Sequence, residues 1–154
     1  MTPAIQALEK AGISFEILTY EHDPRSEAYG LEAAEILGLD PHTVFKTLLT
    51  ELEPKGLAVA IIPVASRLNL KAVANALSAK RARMANPRDA ERATGYVLGG
   101  ISPFGQKKRL PTLVDENALT LHSLHVSAGR RGLEVRLAVK DLLTITNAQT
   151  TRLT

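Results

Sequence analysis

Val44-Phe45-Lys46-Thr47-Leu48-Leu49-Thr50-Glu51-Leu52 and Leu57-Ala58-Val59-Ala60-Ile61-Ile62-Pro63-Val64 flank the quartet Glu53-Pro54-Lys55-Gly56. Two apolar, strand-forming runs around a proline- and glycine-containing reversal read as a β-hairpin. Working outward towards the N-terminus, Thr2-Pro3 supplies a helix cap followed by proline. Ala4, Ile5, Leu8 and Ala11 then recur at helical spacing up to Gly12. Ile13 to Tyr20 alternates apolar and polar residues as a half-buried strand does. A second helix is expected over Glu27 to Leu37, with Leu31, Ala34 and Leu37 on one face and Gly38 as its stop. On the other side of the hairpin, Asn69 caps an expected helix over Leu70 to Leu77, and Asn86-Pro87 repeats the cap-plus-proline device for a helix ending near Gly95. Strands are expected at Tyr96-Val97-Leu98, Thr112-Leu113-Val114, His125-Val126-Ser127 and Leu133 to Leu137, with a last helical turn from Val139 to Leu143. Strands and helices follow one another without a regular strand-helix-strand beat. The expected class is therefore α+β, a mixed and largely antiparallel β-barrel or sheet flanked by short helices, rather than a doubly wound parallel sheet.

The 154 residues suit a single domain able to bury most of the surface its unfolded chain exposes. No stretch approaches the roughly eighteen uninterrupted apolar residues of a membrane span. The first residues, Met1 to Gln6, show no basic segment leading into an apolar run, so the expected location is the cytoplasm. The absence of cysteine excludes disulfides, cysteine-ligated zinc and thiol nucleophiles supplied by the chain. A balance of 19 basic against 16 acidic residues is too even to argue nucleic-acid binding from net charge. The distribution says more: Lys80-Arg81-Ala82-Arg83, Lys107-Lys108-Arg109 and Arg130-Arg131 gather positive charge in the second half. Each run alone reads as a solvated loop, and the three together point towards a phosphate-bearing partner.

Lys46 is the most informative single residue, because Val44, Phe45, Leu48 and Leu49 put apolar side chains on both faces of its strand. Partial desolvation lowers an ammonium's pKa and strengthens its pull on a buried anion or polarised carbonyl. The residues alone leave a second reading open, a lysine whose stem packs on the sheet while its head reaches water. In Gly95 to Gln106, consecutive glycines at Gly99-Gly100 allow close backbone approach to a ligand and present N–H groups to an oxyanion; a simple bulge or tight turn is the alternative. Gly100 and Gly105 have the spacing of a phosphate-binding loop. Gln106 stands where the lysine would be, Lys107 where serine or threonine would be, and Pro103 removes an N–H, so a nucleotide triphosphatase is not indicated. Ser127-Ala128-Gly129-Arg130-Arg131-Gly132 joins two strands, and a hydroxyl beside paired arginines suits a nucleic-acid end or merely a soluble hairpin. His122 and His125 would point to opposite faces and no acidic cluster completes a metal set. Ser66, Ser78 and Ser102 lack the G-x-S-x-G elbow of a serine hydrolase.

Taken together, Met1-Thr2-Pro3-Ala4, Tyr20-Glu21-His22-Asp23-Pro24, Phe45-Lys46-Thr47-Leu48-Leu49, Thr94-Gly95-Tyr96, Gly99-Gly100-Ile101-Ser102-Pro103, Gly105 to Arg109 and Ser127 to Leu133 resemble the YbaK branch of the prolyl-tRNA-synthetase-associated editing superfamily. The resemblance implies a mixed β-barrel flanked by helices and an activity that clears Cys-tRNA(Pro), with some action on Cys-tRNA(Cys). It assigns catalysis to Lys46 and to the backbone of Gly99 and Gly100. Substrate contacts fall to Tyr20, Phe45, Thr47, Ile101, Ser102, Pro103, Ser127, Gly129 and Glu134. Lys107, Lys108, Arg109, Arg130 and Arg131 become candidate RNA contacts, and prolyl-tRNA synthetase a candidate partner; no metal, cofactor or membrane is implied. Two positions depart from the branch's pattern: Glu134 stands where aspartate is common, and Ala128 where glycine is common. The implied mechanism has the substrate's own thiol attack its ester to give cysteine thiolactone. An alanine-specific hydrolase of the same superfamily, or a noncatalytic module binding an aminoacyl or nucleotide end, remain the alternatives.

Overall fold

A computed structural model describes residues 1–154. The hairpin sits at its centre. Strand β2 (Phe45–Glu53) pairs antiparallel with β3 (Gly56–Pro63), in register from Phe45 opposite Pro63 to Leu52 opposite Gly56. Strand β4 (Arg81–Met84) pairs antiparallel with the far half of β2, while β5 (Thr112–Asp115) and β8 (Gln149–Thr151) add in parallel beyond β3. The result is a five-stranded sheet of order β4-β2-β3-β5-β8. A second sheet, wholly antiparallel, has the order β1-β7-β6, formed by Phe15–Thr19, Leu133–Ala138 and Ser123–Arg130 respectively.

Both faces of β3 are covered, which explains why its sequence is an apolar run without alternation. Val59 and Ile61 join Phe45 and Leu49 in the main core, against Leu124, Val126, Val135 and Leu137 of the second sheet. Ala58, Ala60 and Ile62 face the other way, towards Val73, Leu113 and Leu153. Val73 belongs to α3 (Leu70–Ala76), whose first turn is capped by the Asn69 side chain. Helix α1 (Pro3–Lys10) inserts Ala4, Ile5 and Leu8 into the main core. Its cap residue does two jobs: Thr2 Oγ1 accepts from the Ile5 N–H at 3.3 Å and donates to the Ala128 carbonyl at 2.5 Å. Helix α4 (Pro87–Thr94) is capped by Asn86 and stopped by Gly95 at φ +82°, as the cap and glycine signals require. Helix α5 (Val139–Thr146) follows β7 directly.

The two sheets do not close into a barrel, so the sheet arm of the barrel-or-sheet expectation is the one realised. They meet at a single bridge, Val44 to His125. Four local expectations are corrected. Tyr96-Val97-Leu98 is not a strand, because its polar backbone groups are already committed: the Tyr96 N–H donates to Thr94 Oγ1, the Leu98 N–H to Glu91 Oε2, and Val97 O accepts from the Gly100 N–H. Arg81 to Met84 is a strand, since Arg81 and Arg83 lie opposite Glu53 and Glu51 and pair with them at 3.9 and 3.1 Å. Helix α2 covers only Tyr29–Ile36, and Leu31 is exposed; the buried residues are Glu32, Ala33 and Ala34. Finally, the short β8 was unforeseen, and it brings Leu153 to zero exposure beneath α3.

Gly105 shows how one loop is held to the N-terminus. At φ +64°, its missing side chain leaves room for the first turn of α1: a Cβ there would lie 2.5 Å from the Pro3 carbonyl oxygen and 2.6 Å from its carbon. We expect Gly105→Ala to cost about 1–3 kcal/mol of stability through left-handed strain and backbone collision. A thermal melt is the check; an unchanged Tm would mean that the loop moves away from α1 at no cost.

Candidate active site

A cleft of about 370 Å³ opens between the two sheets, where the edge of β2 is left uncovered. β4 pairs with β2 only over Thr50–Glu53, and Ala85 adds one bond, its N–H to the Leu49 carbonyl at 3.0 Å. From there to the Val44–His125 bridge no strand lies along that edge. Phe45, Lys46 and Thr47 line the gap from β2; Ser127 and Arg130 enter from β6, Glu134 from β7, and Tyr20 from the end of β1. Gly99 and Ile101 close one side, and the start of α2 closes another with Tyr29 and Gly30. Gly30 lets α2 approach closely, since a Cβ at that position would stand 2.4 Å from Val64 Cγ1.

The polar groups of the cleft are few and strained in their solvation. Lys46 is half-buried and makes no ion pair; desolvation holds its ammonium below the ordinary lysine value. Glu134 is 6% exposed, its Oε2 has no hydrogen-bond partner, and burial pushes its carboxyl up to about 8. Thr47 Oγ1 is a second buried oxygen without a partner. Burial raises the Tyr20 phenol; a bond from the Gly132 backbone opposes that, and the carboxylates of Glu134 and Glu32 reinforce it. Ser127 Oγ accepts from the Gly129 N–H at 3.2 Å, and no histidine stands by to activate it. His22 is tied to Glu32 at 2.6 Å, and His125 lies buried with Nδ1 3.4 Å from the Thr43 carbonyl. The arrangement can therefore orient and polarise a bound molecule, and offers no side-chain nucleophile paired with a base.

Of the residues proposed from sequence, Tyr20, Phe45, Lys46, Thr47, Gly99, Ile101, Ser127, Arg130 and Glu134 come together at the cleft. The others stand elsewhere. Gly100 packs on backbone: a Cβ would lie 2.7 Å from Arg130 Cα, so the need for glycine there is met by chain packing. Gly129 has φ +113° and sits against Tyr96 and Thr2, at the irregularity in the β6–β7 register. Ser102 is fully buried, its Oγ accepting from the Phe104 N–H, and Pro103 lies with Arg109 in a separate depression beside α1. Lys107 and Lys108 lie across α4 in a shallow concavity with Asp89 and Arg92. Arg131 is stacked on Tyr29. Sequence reasoning missed Tyr29, Gly30, Met84 and Leu98 at the cleft. A glycine inside the first turn of a helix was the available signal for Gly30.

Comparison with known proteins places this geometry. The family model for the aminoacyl-tRNA editing domain matches residues 26–145. The Enterococcus faecalis protein EbsC, whose name proposes a Cys-tRNA(Pro)/Cys-tRNA(Cys) deacylase, is 41% identical over 121 residues, spanning 79% of this chain and 74% of EbsC. A proline–tRNA ligase of Acidithiobacillus ferrooxidans is 32% identical over 102 residues, which make up 66% of this chain and only 18% of the ligase. A crystal structure described as a candidate trans-editing enzyme for prolyl-tRNA synthetase superposes with a TM-score of 0.82 at 26% identity, over 99% of this chain and 98% of that one. With a matched region that takes in α2 and strands β2 to β7, the chain belongs to the aminoacyl-tRNA editing domain family.

Proposed function

We propose that the chain is an aminoacyl-tRNA deacylase that removes cysteine from Cys-tRNA(Pro) and Cys-tRNA(Cys), working in trans as a single editing domain in the cytoplasm. The likeness to EbsC supports the substrate class. The observation that carries the reading is the pair of buried, unpartnered oxygens, Thr47 Oγ1 and Glu134 Oε2, in a small cleft beside the desolvated Lys46. Buried acceptors without partners cost about 1–3 kcal/mol each, a cost relieved when a ligand supplies donors. An aminoacyl ester brings an ammonium, whose approach would draw the proton from the buried Glu134 carboxyl and leave a carboxylate to pair with it. Tyr20 and Ser127 would flank the same group.

The substrate's thiol then serves as nucleophile. Its sulfur bonds to the ester carbonyl carbon, the bond from that carbon to the ribose oxygen breaks, and the thiol proton passes to the ribose oxygen, giving cysteine thiolactone and free tRNA. Tethered attack of this kind gains a large effective molarity, so the protein need supply only orientation and charge stabilisation. Lys46 would hold the terminal phosphate or the charge developing on the carbonyl oxygen, with the backbone at Gly99 close to the ester.

Lys46→Ala is expected to lower kcat/KM on Cys-tRNA(Pro) by roughly 100-fold or more, the effect of losing one stabilising group at a developing oxyanion. Single-turnover deacylation measures it, and near-wild-type turnover would remove Lys46 from the mechanism. Serine- and alanine-charged tRNA(Pro) should be released far more slowly than the cysteine ester. Mass spectrometry of the quenched reaction should find thiolactone before free cysteine; rapid release of alanine would point to a water-using hydrolase instead.

Glu134 gives a prediction in stability. Its carboxyl keeps a proton up to about 8 in the folded chain, against an ordinary value of 4.5. Between these limits the native state binds more protons than the unfolded state, so stability falls as the pH rises through that window and levels off above it. Glu134→Gln, which cannot ionise, should flatten the curve of Tm against pH over the window. A wild-type Tm that holds constant there would contradict the assigned ionisation.

A further inference from the structure

A set of contacts gathers around Leu98 and Gly99. The Leu98 N–H donates to Glu91 Oε2 of α4 at 2.8 Å, and the Leu98 carbonyl accepts from Arg131 Nη2 at 2.7 Å. The Arg131 guanidinium lies over the Tyr29 ring, 4.4 Å from its centroid. Gly99 is seated between the two: at φ +89°, a Cβ would come within 2.6 Å of Tyr29 Cε2 and 2.8 Å of Arg131 Nε. Tyr29 is itself anchored. It opens α2 and packs against His22, ring centroids 5.7 Å apart. Glu32, one turn further on, accepts from the Asp23 N–H and is bonded to His22. Three segments far apart in sequence, the entry to α2, the loop after α4 and the turn between β6 and β7, are thus joined at the mouth of the cleft by one guanidinium.

Neither Tyr29 nor the stacked state of Arg131 is accounted for by the proposed chemistry. Arg131 is exposed, yet its guanidinium is not left free for a phosphate: one face is covered by an aromatic ring and one edge is bonded to a carbonyl. We propose that Arg131 and Tyr29 are positioning residues that clamp the Gly99 backbone at the cleft mouth in the place deacylation requires. This rests on the reading of the cleft as the deacylation site. Arginine is needed because its planar fork stacks and donates at once, which a lysine ammonium cannot do.

The test compares Arg131→Lys, Arg131→Ala, Tyr29→Phe and Tyr29→Leu in steady-state deacylation of Cys-tRNA(Pro) at two salt concentrations, with amide hydrogen exchange of residues 97–101 as a second readout. A clamp predicts that Arg131→Lys, Arg131→Ala and Tyr29→Leu each lower kcat about tenfold, with KM held within about twofold, as small displacements of a reacting geometry do. Exchange at residues 97–101 should quicken in the same three variants, and Tyr29→Phe should behave as wild type in both readouts. If Arg131 instead binds RNA phosphate, Arg131→Lys will resemble wild type, while Arg131→Ala raises KM and weakens its salt dependence, and the proposal is overturned. Unchanged exchange in Arg131→Lys overturns it as well. Wild-type protein inactive on every aminoacyl-tRNA would defeat the reading of the cleft, while the exchange comparison would still decide whether the clamp exists.

Discussion

Val59 and Ile61 of β3 face one core while Ala58, Ala60 and Ile62 face the other, and a strand buried on both sides must have its backbone groups bonded along both edges. β2 and β5 meet that demand. The consequence falls on β2, whose outer edge is left to be covered by whatever remains: β4 reaches only as far as Thr50, and β6 touches only at Val44. The uncovered stretch between them is where the sheets splay and the cleft forms. The site is in this sense what remains once the central strand has been satisfied.

The same geometry accounts for the electrostatics of the cleft. Where the two sheets draw apart beyond their shared core, the side chains enclose a space too dry for Glu134 to ionise readily and too roomy for its free oxygen to find a partner within the chain. Lys46 lies on the open edge itself, so it loses part of its hydration without gaining a carboxylate. Ionisable groups left in this condition contribute little to stability and are characteristic of sites that receive a ligand.

What the sequence disclosed were features with local causes. The hairpin, the caps at Thr2, Asn69 and Asn86, and the glycine stop at Gly95 all depend on residues within a few positions of one another, and each is found where its signal lies. Features that depend on distant partners were hidden. Arg81-Ala82-Arg83-Met84 resembles a solvated run until Glu51 and Glu53 are set opposite it. Tyr96-Val97-Leu98 has strand composition, but its backbone is claimed by α4 and by a local turn. The site was divided in the same way. Lys46 stood out because of its immediate apolar neighbours, whereas Tyr29 and Arg131 gain significance only by meeting each other across roughly a hundred residues of chain. Ser102 and Gly129 belong to the blocks that carry the family resemblance, yet their contacts here are with the core and with α1's cap, which is a reminder that a shared motif records packing as well as chemistry.

The short β8 bears on how the chain comes to be folded during synthesis. β5 lies between β3 and β8 in parallel register, the Leu153 N–H donates to Asp115 Oδ1 at 2.8 Å, and the Leu153 carbonyl accepts from the Asn69 N–H at 2.7 Å. A ribosome delivers residues in order, so the hairpin and α3 leave the exit tunnel long before the strand and leucine that seal the core beneath them. Until residues 149–153 emerge, one edge of β5 and an apolar floor stay open to solvent and to neighbouring nascent chains. Completion of this core therefore follows that of the hairpin, and in the interval before it the growing polypeptide exposes apolar surface and an open strand edge.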